Sequence, residues 1–287
     1  MKKIFRLASI IAMAVFYCAC DDEEVYSPDE RFVLQAYLYA NEPVWDISLK
    51  NAVPLTVADS VGEPINDAKV KLIKNGKTYN LVLQGDSGYY AYPGNDLNVL
   101  AGDVFKIEAT SNGMTATGET VVPEPPAGAA ISQNVVEIPE ITLNTTGFPD
   151  MGQIRELLTL MTDVKLSVVW NNPNNELHFV VIENNEQNQE SIFPVGNRFG
   201  RGNRGAFRRI SRPTREDNYL INFGELTFWG QYVVKVYRVN QEYADLYENL
   251  TQDSRDLNEP PTNIKNGLGI FSAFNSQRVY FRVVKKQ

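Results

Sequence analysis

Val70-Lys71-Leu72-Ile73-Lys74 runs into Asn75-Gly76, and Thr78-Tyr79-Asn80-Leu81-Val82-Leu83 follows. Asn-Gly between two such runs is a strong hairpin signal, because both residues tolerate the positive φ of the tight turn that joins twisted strands. The same grammar extends outward. Upstream, Phe32, Leu34, Ala36 and Leu38 share one face of a period-two pattern, the mark of a half-buried strand, and Ile47 and Leu49 suggest a second. Downstream, Gly88 to Tyr92 reads as an aromatic strand, and Asp103–Thr110 and Met114–Val122 flank Ser111-Asn112-Gly113, a second hairpin. Short strands separated by frequent turn signals predict an immunoglobulin-like β-sandwich over residues 31–122.

Pro123-Glu124-Pro125-Pro126 then interrupts strand pairing, since proline cannot donate to a ladder, and a domain boundary is placed there. Residues 123–150 read as linker and irregular chain. Ile154, Leu157, Leu158 and Met161 fall at helical spacing. Val164, Leu166, Val168 and Trp170 alternate on a strand, Asn171 to Asn175 turns the chain, and Leu177, Phe179 and Val181 return. Tyr219–Phe223, Gln231–Val239 and Arg278–Val284 are the later strands, with one helix carrying Tyr243, Leu246, Tyr247 and Leu250 on one face. Residues 151–287 are therefore expected to form a second β-rich, sandwich-like domain with one or two short helices.

The front of the chain has a different character. Lys2, Lys3 and Arg6 precede an apolar run from Leu7 to Tyr17, and small Ala19 precedes Cys20. Residues 1–19 have the layout of a secretory signal. These eleven residues would span about 16 Å as a helix, roughly half a bilayer core, too short for a stable membrane crossing. Tyr17-Cys18-Ala19-Cys20 resembles a lipobox, with Tyr17 standing where an aliphatic residue is usual. Cys20 is the expected lipid-bearing residue and Cys18 the alternative; no cysteine occurs after them, so no disulfide is available to the folded part. Residues 20–30, opening Asp21-Asp22-Glu23-Glu24 after the cysteine, read as an acidic tether.

Composition limits the chemistry. The chain carries 35 acidic and 27 basic residues, and loss of the signal would remove three bases and no acid. So acidic a chain is not expected to bind nucleic acid. His178 is the one histidine; it sits out of phase with Leu177 and Phe179 and is expected to face solvent. Zinc sites built from His and Cys are excluded by count, and no Gly-x-Ser-x-Gly elbow supplies a nucleophile. No catalytic residue, metal or cofactor is expected.

Three features stand out as candidate sites. Arg198, Arg201, Arg204, Arg208, Arg209, Arg212 and Arg215 occur between 198 and 215 with four glycines just before and among them and no acid, a local inversion of sign. Such a segment suits carboxylate or phosphate groups on a partner, since Arg bonds them in pairs; a solvated hairpin loop is the plain alternative. Trp45, Trp170 and Trp229 are candidate sugar-stacking platforms; Trp229, in Phe228-Trp229-Gly230, is the better exposed candidate, whereas Trp170 continues the alternating face of its strand and is expected in the core. Ser60, in Asp59-Ser60-Val61, resembles the short O-glycosylation motif used by Bacteroidota, a tripeptide short enough to occur by chance.

The order of lipobox, alternating strand, first sandwich, Val121-Val122-Pro123 and mixed β domain, ending in Glu259-Pro260-Pro261-Thr262-Asn263-Ile264 and Asn266-Gly267-Leu268-Gly269-Ile270-Phe271-Ser272-Ala273, resembles a Bacteroidota family of outer-membrane lipoproteins of unknown function. Members are typically encoded beside TonB-dependent receptors. In that group an acidic cluster after the lipid cysteine looks like the signal that sends a lipoprotein to the outer cell surface. The resemblance implies a surface-exposed, lipid-anchored, non-catalytic accessory of a TonB-dependent nutrient transporter, contacting the receptor barrel or a glycan or peptide cargo. A stand-alone glycan-binding lipoprotein and a structural or adhesive envelope protein are the alternatives. Within the most specific stretch, Gly267 and Gly269 suit close backbone packing, and Leu268, Ile270 and Phe271 suit a core.

Overall fold

A computed structural model describes residues 31–53, 62–142, 150–163, 165–192, 208–223, 226–250 and 262–286. β1 (Phe32–Tyr39), β2 (Asp46–Asn51), β3 (Lys69–Lys74), β4 (Lys77–Asn80), β5 (Val82–Gln84), β6 (Tyr89–Ala91), β7 (Val104–Ser111) and β8 (Met114–Val121) come first. β9 (Ala127–Ile131), β10 (Val135–Ile138), helix α1 (Met151–Asp163), β11 (Leu166–Asn171), β12 (His178–Asn184), β13 (Arg208–Ile210), β14 (Asn218–Ile221), β15 (Gly230–Val239), helix α2 (Gln241–Leu250), β16 (Ile264–Lys265) and β17 (Leu268–Lys285) follow. The class is the expected one: mostly β, a first sandwich followed by a second β-rich sandwich, with two helices among the described residues.

Both hairpins form as the turn chemistry requires. Asn75 and Gly76 adopt φ of 50° and 76°, and Asn112 and Gly113 adopt 50° and 83°. The turns fix the register of β3 with β4 and of β7 with β8, so that Val70, Leu72, Phe105, Ile107, Ala109 and Ala116 all point inward. Facing them are Phe32, Leu34, Ala36 and Leu38 of β1 and Ile47 and Leu49 of β2, and together these residues make the first core.

One sheet serves both sandwiches. Its order is β13-β12-β15-β17-β1-β2-β6-β5, with β10 also on β17. The eighteen-residue β17 is the shared spine. Residues 268–274 pair parallel with β1, residues 274–283 pair antiparallel with β15, and residues 282–285 take β10. Its first half faces the sheet β16-β8-β7-β3-β4, and its second half faces the three-stranded sheet β14-β11-β9. The second core contains Leu166, Val168 and Trp170 from β11 against Val180, Ile182, Tyr232, Val234, Val236, Phe281 and Val283.

This arrangement revises the expected organisation in three places. A cut at residue 122 separates the first sandwich from Ile264, Phe271 and Ala273, which are buried in its core. Residues 127–138, expected to be irregular, hold β9 and β10, whose pairing partners lie far along the chain. The last strand begins at Leu268 and not near Arg278.

The Asn-Gly-Leu-Gly stretch is structural. Gly269 has φ +108°, and a Cβ there would overlap the backbone of Leu34. The Asn263 side chain pairs with both polar groups of Phe271, donating to its carbonyl at 2.7 Å and accepting from its N–H at 2.8 Å. These contacts set Phe271 in the core with no exposed surface.

Candidate functional site

The outer face of the shared sheet carries the site. In β12, Val180 and Ile182 point into the second core, so Phe179, Val181 and Glu183 point outward. The registers carry this parity across to Tyr237, Lys235 and Val233 of β15 and to Phe274 and Arg278 of β17. On β1, Tyr37 and Tyr39 take the same side, because Phe32, Leu34, Ala36 and Leu38 occupy the other.

Phe274 is the hub of this face. Its ring lies 5.6 Å from Tyr37, 5.4 Å from Tyr39, 5.7 Å from Phe179 and 5.1 Å from Tyr243 of α2. Tyr237 stacks on Phe179 at 4.8 Å and meets Tyr39 edge-on at 6.0 Å. Edge-to-face and offset pairs of this kind contribute about 0.5–1.5 kcal/mol each beyond their burial. The cluster ends in Trp45, in the β1–β2 connection, whose indole is nearly parallel to Tyr39 at 6.0 Å and 11°. Tyr39 is held in turn by donation from its hydroxyl to Asp46 Oδ2 at 2.8 Å. Trp45 retains 46% of its surface exposed, while Trp170 and Trp229 keep 3% and 8%.

Charge borders the aromatic face as an alternating chain. Arg208 pairs with Glu183 at 3.2 Å, Glu183 with Lys235 at 3.0 Å, Lys235 with Glu42 at 3.9 Å, and Glu42 with Arg278 at 2.9 Å. Burial pushes the Tyr39 hydroxyl well above its usual range, and the neighbouring Asp46 adds to that. Tyr237 is pushed up to about 12, by burial first and then by Glu42 and Glu183. Burial also raises the Asp46 carboxyl, against the opposing pull of the Tyr39 hydroxyl and Arg208. Both phenols are neutral donors over the ordinary pH range.

The expected sites fare unequally. Cys20, Ser60, Arg198, Arg201 and Arg204 lie outside the described residues. Arg208 and Arg209 stand on β13 at the edge of the shared sheet, with Arg208 in the charge chain just described. Trp229, expected at an exposed turn, is buried against the second core, because the backbone of Glu190 and the side chain of Asn184 hold its main chain against β12. What remains of it lines a cleft of about 320 Å³ with Glu186, Glu190, Arg282 and Lys285, and the Lys285 ammonium lies 5.9 Å from its ring. His178, expected to face solvent, is 1% exposed, with Nδ1 3.0 Å from the Glu176 carbonyl and its ring 5.5 Å from Trp170. Burial lowers its pKa. Alternation failed there because β12 is covered on both faces, as a central strand can be.

The aromatic face itself was missed. Its one local signal was the pattern Tyr37-x-Tyr39 on the opposite phase to the apolar core residues of β1, followed closely by Trp45. Among the described residues, no group of three or more His, Cys, Asp or Glu side chains is placed to hold a metal ion. No helix among them is long and apolar enough to cross a membrane.

Among solved structures, the chain is similar to a segment of two fibronectin type-III domains from chicken tenascin, with 11% identity over 87% of this chain and 99% of that one and a TM-score of 0.24. It is also similar to domains A168–A170 of titin, with 12% identity over 74% of this chain and 60% of that one and a TM-score of 0.20. No curated protein matches. A family model matches residues 21–279, nearly all of the chain after the cysteine pair, and the chain accordingly belongs to DUF4249, a domain of unknown function.

Proposed function

We propose that this chain is a surface-exposed outer-membrane lipoprotein, anchored through Cys20, that acts as a non-catalytic binding component of a TonB-dependent nutrient transporter. The observation that carries a binding role is the rigid aromatic face ending in the exposed Trp45. Seven interlocked rings fix its geometry before any partner arrives, so little ordering entropy is lost on contact. The lipobox and the acidic tether support anchoring. Phe32, the first residue of β1, follows Cys20 by twelve positions, a reach of at most about 40 Å from the bilayer surface. Confinement to that layer raises the local concentration of the binding face near any membrane partner.

The experiment is affinity capture of the tagged protein from detergent-solubilised native membranes, with labelled palmitate in the growth medium. A co-purifying receptor barrel and label lost in Cys20→Ser are the expected results. A parallel capture with Arg198, Arg201, Arg204, Arg208 and Arg209 replaced by Ser reports on the arginine segment. Capture without any barrel would overturn the transporter role, and label retained in Cys20→Ser would overturn the anchor.

A further inference from the structure

We infer that the Trp45–Asp46 end of the aromatic face is a saccharide-binding site, with the indole as the stacking platform for a neutral pyranose and the Asp46 carboxylate as the hydrogen-bonding group beside it. The inference rests on the chain being a binding module and names the class of ligand that module takes.

Three observations converge. The first is a flat, exposed and immobilised indole. Trp45 has Tyr39 against one face at 6.0 Å, Tyr39 is pinned by Asp46 and by the rings of Tyr237 and Phe274, and yet 46% of Trp45 faces solvent. A pyranose presents a face of C–H bonds whose partial positive charge meets the negative face of an aromatic ring. The second is the polar group next in sequence. Asp46 accepts the Tyr39 hydroxyl at Oδ2, and its register opposite Tyr37 puts it on the same outer face, so a fixed carboxylate stands beside the platform. Sugar hydroxyls donate, and a carboxylate is an acceptor suited to them.

The third is the state of the charges. Arg208, Glu183, Lys235, Glu42 and Arg278 are already joined in one alternating chain. An anionic or cationic ligand would have to break pairs to gain new ones, whereas a neutral polyol adds hydrogen bonds without doing so. A protein partner fits less well: Trp45 is the one large exposed apolar side chain that the described aromatic cluster offers, while protein interfaces bury a broad apolar centre.

The three tryptophans make the test direct. In the full chain purified in detergent, the indole N–H resonances of Trp45, Trp170 and Trp229 are assigned with Trp→Phe variants. Malto-, cello-, xylo-, manno- and chito-hexaose are then added separately at millimolar concentration. At least one shifts the Trp45 resonance while Trp170 and Trp229 stay in place. Trp45→Ala weakens that saccharide about tenfold or more, and Asp46→Asn weakens it by a smaller factor with the fold unchanged. The site is disproved if Trp45 moves with none of the five, if Trp229 moves in its place, or if affinity survives Trp45→Ala. A shift of Trp45 by mixed short peptides and by no saccharide would assign the face to peptide and equally overturn the inference. Barrel capture is a separate readout: it can succeed where saccharide binding fails, and fail where it succeeds.

Discussion

Gly269 lies against Leu34 in the parallel pairing of β17 with β1, so close that no side chain fits between the two backbones. Its φ of +108° is also one that L-residues avoid. Gly269→Ala should therefore lower stability by about 2–4 kcal/mol, from strain and displacement together. Gly85→Ala is the control: its φ is +69° but the space around it is open, so only the conformational cost of about 1 kcal/mol applies. Urea unfolding of both variants measures the difference. Equal losses would show that the close approach to Leu34 carries no energy.

Asn263 clamps Phe271 through two hydrogen bonds. Asn263→Ala leaves the Phe271 N–H and carbonyl without those partners near a core edge, at about 1–3 kcal/mol. Asn263→Asp should be similarly harmful near neutral pH, because a carboxylate cannot donate to the carbonyl. Denaturation midpoints of the two variants check this; an Asp variant as stable as the wild type would mean that the donated bond adds nothing.

The aromatic hub gives a third expectation. Phe274 is 2% exposed and touches four other rings, so Phe274→Ala should cost about 3–5 kcal/mol. The loss should also loosen Trp45, two rings away. Fluorescence anisotropy of a variant carrying Trp45 as its sole tryptophan would fall in the Phe274→Ala background. Unchanged anisotropy would mean that Tyr39 and Asp46 suffice to hold the indole.

One acid-sensitive contact lies in the β6–β7 connection and lets go only at low pH. Hydrogen bonds from the Lys77 ammonium, at 2.7 Å, and from the Tyr92 hydroxyl, at 2.5 Å, hold the Asp96 carboxyl at about 2. A carboxyl depressed in the fold contributes stability that is complete above its unfolded value of 3.8 and disappears as pH falls to about 2. Following Asp96 and the Tyr92 ring by NMR from pH 5 to pH 2 tests this, with Asp96→Asn expected to flatten that part of the acid limb. The Asp96 side chain is exposed to solvent, so the effect is local. A midpoint near 3.8 would remove it.

Local order was legible and distant order was not. Asn75-Gly76 and Asn112-Gly113 declared their turns because backbone chirality restricts who can occupy them. The alternation of β1 declared its buried face. The pairing of Val33 with Leu268 had no such marker, since parallel strands need no connecting turn and any apolar strand of suitable length can accept another. Coverage of β12 on both faces had no local marker either, so His178 read as solvent-facing although it is buried against Trp170, and the outer aromatic face had no place in the scheme. Trp229, the better exposed candidate by sequence, is the buried one, and Trp45 is the exposed one. Exposure of an indole depends on which strands close over it, and Trp229 is held by Asn184 of β12 and shares its cleft with Val283 of β17, both far from it in sequence.

If the first sandwich needs its late strands, residues 31–125 made alone should fail to fold. They lack the partner of β1 and three buried core residues, Ile264, Phe271 and Ala273. The fragment should show no cooperative thermal transition, and a separate peptide of residues 262–285 should restore part of it. A cooperative transition in the isolated fragment would show that β17 merely decorates an already stable unit.

The pairing of β1 with β17 has a consequence for manufacture. A ribosome finishes β1 more than two hundred residues before it makes its neighbour. During that interval one flank of β1 has no partner and the apolar side chains beneath it have no lid. Assembly must wait for the closing strand, which places the molecule among slow folders with distant contacts. The delay doubles as inspection: a product cut short anywhere before Leu268 cannot seal itself, and stays open to the proteases that clear unfinished chains.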